Sequence, residues 1–314
     1  MNRRTFLGVA AASAVGIRAQ ALPFPVIDTH IHLFDPTRPE GVPWPPKNDA
    51  ILYRPALPDR FRKVAAPFGV KGAIEVECST WLEDNQWVLD VSEKDTIMVG
   101  TVGNLEPGKT GFRRNLDRFR KNPLFRGIRY GYLWNRDVRA ALANPEFVAD
   151  LKFLADADLS LDTANQSVRL LEDMLKLSDA VPNLRIILDH LPRLARPQEP
   201  EQGAAYDAAM RELGKRPQVY VKVSEVLNRV DGRVPLELNF YRAKIDELWE
   251  TFGEDRLLYG SDWPNSDPFG TYEQVISIVH EYFIAKGREA AEKYFWKNSV
   301  AAYRWVKREA GQPG

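Results

Sequence analysis

This chain of 314 residues has a single cysteine, Cys78, and only four histidines. With one thiol, an intramolecular disulfide is impossible. Charge bias is missing as well: 43 basic side chains meet 43 acidic ones, which leaves no electrostatic footprint for nucleic acid. No apolar run reaches the ~20 residues that a membrane-spanning helix needs. There is no internal repeat, no low-complexity segment and no Gly/Ser-rich linker to mark a second domain. A Gly-rich turn after the first apolar strand, which a doubly wound nucleotide fold would want for phosphate, is absent from "THIHLFDP".

What remains is a globular composition, with 44% hydrophobic and 27% charged residues, in a length that suits one α/β barrel. The densest basic run, "FRRNLDRFRK" at 112–121, spaces Phe112, Leu116 and Phe119 for one helix face, so its charges read as a solvated surface. The first 21 residues read differently. Arg3 and Arg4 precede Phe6 and Leu7, a short apolar region and the A-x-A-like Ala19-Gln20-Ala21. That order is the pattern of a twin-arginine export signal cleaved after Ala21, and it predicts a soluble periplasmic protein made of residues 22–314.

Apolar, β-rich runs then alternate with amphipathic stretches. Strands are expected at 25–32, 71–77, 96–104, 125–132, 159–165, 184–190, 219–225 and 257–263. Eight strands with helices between them are the count of a single-domain (β/α)₈ TIM barrel, an α/β fold whose chemistry sits at the C-terminal strand ends. The proline-rich connection at 34–58 is too long for a simple βα turn, so Trp44, Tyr53 and Arg54 are candidates for covering a substrate.

Polar residues fall at those strand ends. His30 and His32 stand at i and i+2, where a strand points both imidazoles to one face. His190 ends strand six and Asp262 ends strand eight, which barrel closure brings beside strand one. Two imidazoles and a carboxylate can hold a divalent ion or remove a proton from water. Arg129 and Tyr130 end strand four and are candidates for binding the substrate, the planar fork of Arg129 being suited to a carboxylate. Asp28 is expected to point inward, deeper in the barrel. Glu77 ends strand two, and Lys222 is expected inside the barrel, paired to a carboxylate. His280 sits in "YEQVISIVHEYF" and reads as an ordinary helix residue.

"IDTHIH", "LDHLPR", "VYVKVSE" and "FGEDRLLYGSDWP" together resemble the amidohydrolase superfamily, in its amidohydrolase-related branch, over nearly all of 25–304. Within that branch the likeness is to the sugar-lactone and 2-pyrone-4,6-dicarboxylate lactonases. The resemblance implies a distorted (β/α)₈ barrel that hydrolyses a lactone or related cyclic ester. His30, His32 and Asp262 would surround a water or hold one divalent metal, zinc by its donor preferences; His190 would assist and Asp262 would activate the water. Strand four lacks a bridging lysine and strand five a histidine, which argues against a binuclear centre and leaves a metal-independent mechanism open. A metal-dependent decarboxylase of the same superfamily and a non-catalytic sugar-acid-binding barrel are the rival readings. A small molecule is the expected partner, and a homo-oligomer is compatible with the sequence.

Overall fold

The computed structural model describes residues 21–314, so the expected export signal lies outside the described residues except for Ala21. Eight strands occur in order: β1 (Val26–Ile31), β2 (Val70–Val76), β3 (Met98–Gly103), β4 (Phe125–Arg129), β5 (Ser160–Asp162), β6 (Arg185–Leu188), β7 (Val219–Val223) and β8 (Leu257–Tyr259). Each pairs in parallel with the next in chain order. Each also lies within one residue of its expected window. They stop short at their C-terminal ends, before Glu77, His190 and Asp262.

β8 and β1 close the ring at the end that carries the chemistry. Asp262 N donates to His30 O at 2.9 Å and His32 N donates to Trp263 O at 2.8 Å, around the bridge between Ile31 and Trp263. Gly260 permits this approach, because a Cβ there would stand 2.8 Å from His30 Cβ. The fold is thus a distorted (β/α)₈ barrel in one domain.

Strand alternation divides the apolar residues into two cores. Ile27, Ile74, Val76, Val99, Val102, Ile187 and Leu258 fill the barrel, which Tyr303 and Trp305 plug from the C-terminal segment. The other strand faces pack against the surrounding helices. Helix Phe112–Phe119 buries Phe112, Leu116 and Phe119 and leaves Arg113, Arg114, Arg118 and Arg120 exposed, as its spacing predicts. Helix Tyr272–Ala285, which carries His280, starts at a reciprocal Thr271/Gln274 capping box, an arrangement worth about 1 kcal/mol. Among the described residues, no helix is long and apolar enough to cross a membrane.

One inward expectation is overturned here. The β1–β2 register slips between Asp28 and Ile31, and a slip of one residue exchanges the two faces of a strand. Asp28 therefore faces the helix layer, where its Oδ2 accepts from Tyr272 Oη at 2.9 Å. Its Oδ1 accepts from Ser261 N at 2.9 Å and His30 N at 3.2 Å, tying β1 to the end of β8. Burial pushes its pKa up to about 6 against the pull of these hydrogen bonds.

Candidate active site

The C-terminal strand ends surround a cavity of about 580 Å³ lined by His32, Trp44, Arg129, His190, Asp262 and, beyond those expected, Trp134, Asn165, Gln166, Arg193, Glu225 and Asn265. At its floor Asp262 Oδ1 lies 3.1 Å from His32 Nε2, 3.5 Å from His30 Nε2 and 3.6 Å from His190 Nε2. Asn265 Nδ2 donates to the other oxygen, Oδ2, at 2.6 Å. One carboxylate thus stands among three imidazoles, all drawn from β1, β6 and β8. Burial opposes its charge, but His190, His32 and His30 together hold Asp262 below the ordinary carboxylate range. Burial, opposed by Asp262 and Asp189, lowers the His190 pKa to about 4, and burial beside Lys222 takes His30 well below its usual value. Both imidazoles are therefore neutral near pH 7, while the carboxylate is ionised.

The sequence names a divalent ion for this place, and the donor atoms allow a test. His32 Nδ1 lies 2.7 Å from Val76 O. A carbonyl only accepts, so Nδ1 carries the proton and Nε2 turns a lone pair toward Asp262. Two acceptors 3.1 Å apart require a proton or a cation between them. His30 Nε2 is buried without a hydrogen-bond partner, and ligand atoms of His30, His32 and Asp262 lie within 4.8 Å of one another. His32 Nε2 and Asp262 offer two of the protein ligands that a single cation would take.

Arg129 reaches the cavity wall from β4. Its Nε lies 3.4 Å from Glu77 Oε1, and Nη1 is buried without a partner. Burial works against its charge, and Glu77, Asp189 and Asp262 restore it. Glu77 also accepts from Trp134 Nε1 with both oxygens at 3.2 Å, so it braces two cavity residues instead of entering the cavity. Trp44 comes from the 34–58 loop and meets the His32 ring edge-on at 5.8 Å. Reciprocal backbone bonds between Phe34 and Ala56 at 3.1 and 2.8 Å pin the base of that loop.

Three expected substrate contacts lie elsewhere. Tyr130 follows Arg129 in the strand, so alternation sends it to the outer face, where its ring packs 5.2 Å from Phe147. Arg54 points to solvent and pairs with Asp267 at 3.4 Å, beside the shorter Arg60–Asp267 pair at 2.6 Å. Tyr53 is half-buried and does not line the cavity. Glu75, at the end of strand two, turns outward toward Asn85 and Val88, where burial and the Glu77 charge push its carboxyl well up.

Glu225 was reachable from the strand-end rule, since it closes the expected strand at 219–225. Its Oε2 lies 3.9 Å from His190 Nδ1 and its Oε1 3.6 Å from Arg193 Nε. Burial, reinforced by the Asp262 charge, raises its pKa to about 8. Backbone geometry marks the same place. Of the nine non-glycine residues with left-handed φ among the described residues, Trp134, Asn165, His190, Glu225 and Asp262 all line the cavity. Such conformations cost about 1–3 kcal/mol each and persist where the surroundings enforce them, commonly at functional sites. The sequence gives only a weak cue to them, because αL is uncommon for any non-glycine residue even though Asn, Asp and His adopt it more often than the rest.

A family model described as "Amidohydrolase" matches residues 27–305. An L-fucono-1,5-lactonase of Burkholderia ambifaria is 29% identical over 296 residues, covering 91% of this chain and 97% of that protein. An L-fucono-1,5-lactonase of Burkholderia multivorans is 25% identical over 281 residues, covering 88% and 94%. The crystal structure of an amidohydrolase from Burkholderia multivorans with bound zinc superposes with a TM-score of 0.78 at 22% identity, covering 90% of this chain and 100% of that one.

Proposed function

The chain belongs to the amidohydrolase family, and on that premise we propose that it is an enzyme that opens a lactone ring with water. The observation that carries this reading is the Asp262 carboxylate among three imidazoles at the floor of a polar cavity. Substantial identity to L-fucono-1,5-lactonases along nearly the whole chain supports it.

In the reaction, a water beside Asp262 gives its proton to the carboxylate as its oxygen bonds to the lactone carbonyl carbon. The charge that develops on the carbonyl oxygen is met by imidazole N–H groups at the cavity floor. The ring C–O bond then breaks and Asp262 returns the proton to the departing alkoxide, leaving a hydroxy acid. Asn265 holds the carboxylate in place through Oδ2. Arg129, with Nη1 unpartnered, grips a carboxylate or ring oxygen of the substrate, and Trp44 covers the bound ring. His32 and Asp262 would hold a divalent ion, zinc by its affinity for imidazole and carboxylate, which would polarise the carbonyl and acidify water.

The test is a pH-indicator assay of the purified protein over sugar-acid and dicarboxylate lactones, since each opening releases one proton. Turnover of at least one lactone is expected, and silence across the panel overturns the reading. Once a substrate is in hand, Glu225 supplies a pH test. Below about 8 its carboxyl is protonated; above that value it adds a second negative charge beside Asp262 and opposes the developing oxyanion. Wild-type kcat/KM should fall above pH 8, after correction for spontaneous hydrolysis, and Glu225→Gln should hold its plateau there. A fall of the same size in both proteins would assign the alkaline limb to another group.

We also propose export to the periplasm by the twin-arginine route, supported by Arg3-Arg4, the short apolar region and the A-x-A site. Replacing both arginines by lysine should leave uncleaved precursor in the cytoplasm. Normal export of that variant would refute the assignment.

A further inference from the structure

We propose that Lys222, buried beneath the site, holds His30 in the Nε2–H tautomer, so that His30 serves as a hydrogen-bond donor to the substrate carbonyl and not as a metal ligand. The donor role rests on the lactone reading, whereas the tautomer stands on the geometry of this chain alone.

Lys222 is the fourth residue of β7, and alternation turns it into the barrel while Val221 and Val223 face the helices. Its Nζ lies 2.6 Å from Asp162 Oδ2, 2.9 Å from Asp189 Oδ1 and 3.1 Å from His30 Nδ1. Tyr303 Oη donates to the same Asp162 oxygen at 2.6 Å. All four side chains around the ammonium are fully buried, so water cannot rearrange these partners. An ammonium has three protons to donate and no lone pair. Asp162 takes one of them, Asp189 pairs with the ammonium by charge without an aligned hydrogen bond, and another goes to His30 Nδ1, which can accept only if it carries no hydrogen. A neutral imidazole then bears its proton on Nε2, the atom 3.5 Å from Asp262 Oδ1 that has no hydrogen-bond partner.

The opposite arrangement would have Nδ1–H donate to Asp189 and Nε2 offer its lone pair to a metal, as ligating histidines commonly do. Asp189 Oδ2 is 3.6 Å from Nδ1, beyond hydrogen-bond range. That proton would also point at an ammonium 3.1 Å away. Charge and distance both favour Lys222 as the donor. Lys222 is thus a positioning residue: it is fully buried and does not line the cavity, and it acts by deciding which nitrogen of His30 bears the proton. Of the two strand-one histidines, His32 alone is left with Nε2 free for a cation, because the Val76 carbonyl holds its proton on Nδ1.

Long-range 1H–15N correlation spectra of the full chain labelled with [15N]histidine read this directly, with His30 assigned by comparison with His30→Gln. Near pH 7, His30 is expected to show a protonated Nε2 and an unprotonated Nδ1, and His32 a protonated Nδ1. One equivalent of zinc should leave the His30 Nε2 proton in place. A His30 that carries its proton on Nδ1, or that gives up Nε2–H to added zinc, overturns the proposal. Lys222→Met adds a second reading: where the variant folds, the His30 pattern should lose its single-tautomer character and kcat should fall with KM little changed. A folded variant with an unchanged His30 spectrum also overturns it. The spectra are independent of turnover, so a failed lactone screen would refute the function and leave the tautomer assignment standing.

Discussion

Asp262→Asn is expected to lower kcat by about 10²-fold or more, the usual worth of a positioned general base. The amide keeps the size of the side chain and can still accept from Asn265, but it cannot take a proton from water at neutral pH. Substrate affinity should change little if the residue acts on the water and not on the lactone. The fold should persist, because the backbone bond between Asp262 N and His30 O that closes the barrel is untouched. Loss of a cation ligand would confuse the result, so the comparison is with Glu77→Gln at matched metal content. Glu77 sits at another strand end and braces Arg129 and Trp134 without touching Asp262. Near wild-type turnover in Asp262→Asn, with loss in Glu77→Gln, would move the base to β2 and refute the mechanism given above.

The second large effect is expected at Arg129. Arg129→Met removes the cation that pairs with Glu77 and leaves a buried carboxylate without that charge partner. Breaking a buried pair in this way costs about 3–5 kcal/mol of stability, visible as a lower denaturant midpoint at unchanged slope. In the assay, KM for an anionic lactone should rise about 10- to 100-fold, the contribution of a charge-assisted hydrogen bond. Arg129→Lys separates the two effects. It restores charge beside Glu77 and so most of the stability, but it lacks the planar fork and should keep the raised KM. If Arg129→Met loses stability while KM stays put, Arg129 is a brace for the cavity wall and the substrate's anionic group is held elsewhere.

The eight βα units could be read from the chain because each parallel strand is an apolar run flanked by amphipathic segments, and local periodicity records that directly. The convergence of His30, His32, His190 and Asp262 followed from the barrel alone: once eight parallel strands close, their C-terminal ends share one face. Regular alternation also placed Lys222 inside. It failed at β1, where a register slip turns Asp28 outward, because a bulge depends on the partner strand and leaves no mark in the sequence of either.

The long 34–58 loop was evident as a cover, but which of its aromatic and basic residues reach the cavity was not. The Phe34–Ala56 pairing and the Arg60–Asp267 ion pair decide that, and both join residues distant along the chain. The left-handed turns at His190, Glu225 and Asp262 are equally tertiary, since αL is uncommon for any non-glycine residue and the surrounding packing holds it here. The sequence by itself determined the barrel and the chemical types at its mouth, because strand periodicity is local. Which nitrogen of each histidine bears the proton was decided only by the fold, which brings Lys222 from β7 and the Val76 carbonyl from β2 against rings carried on β1 and at its end.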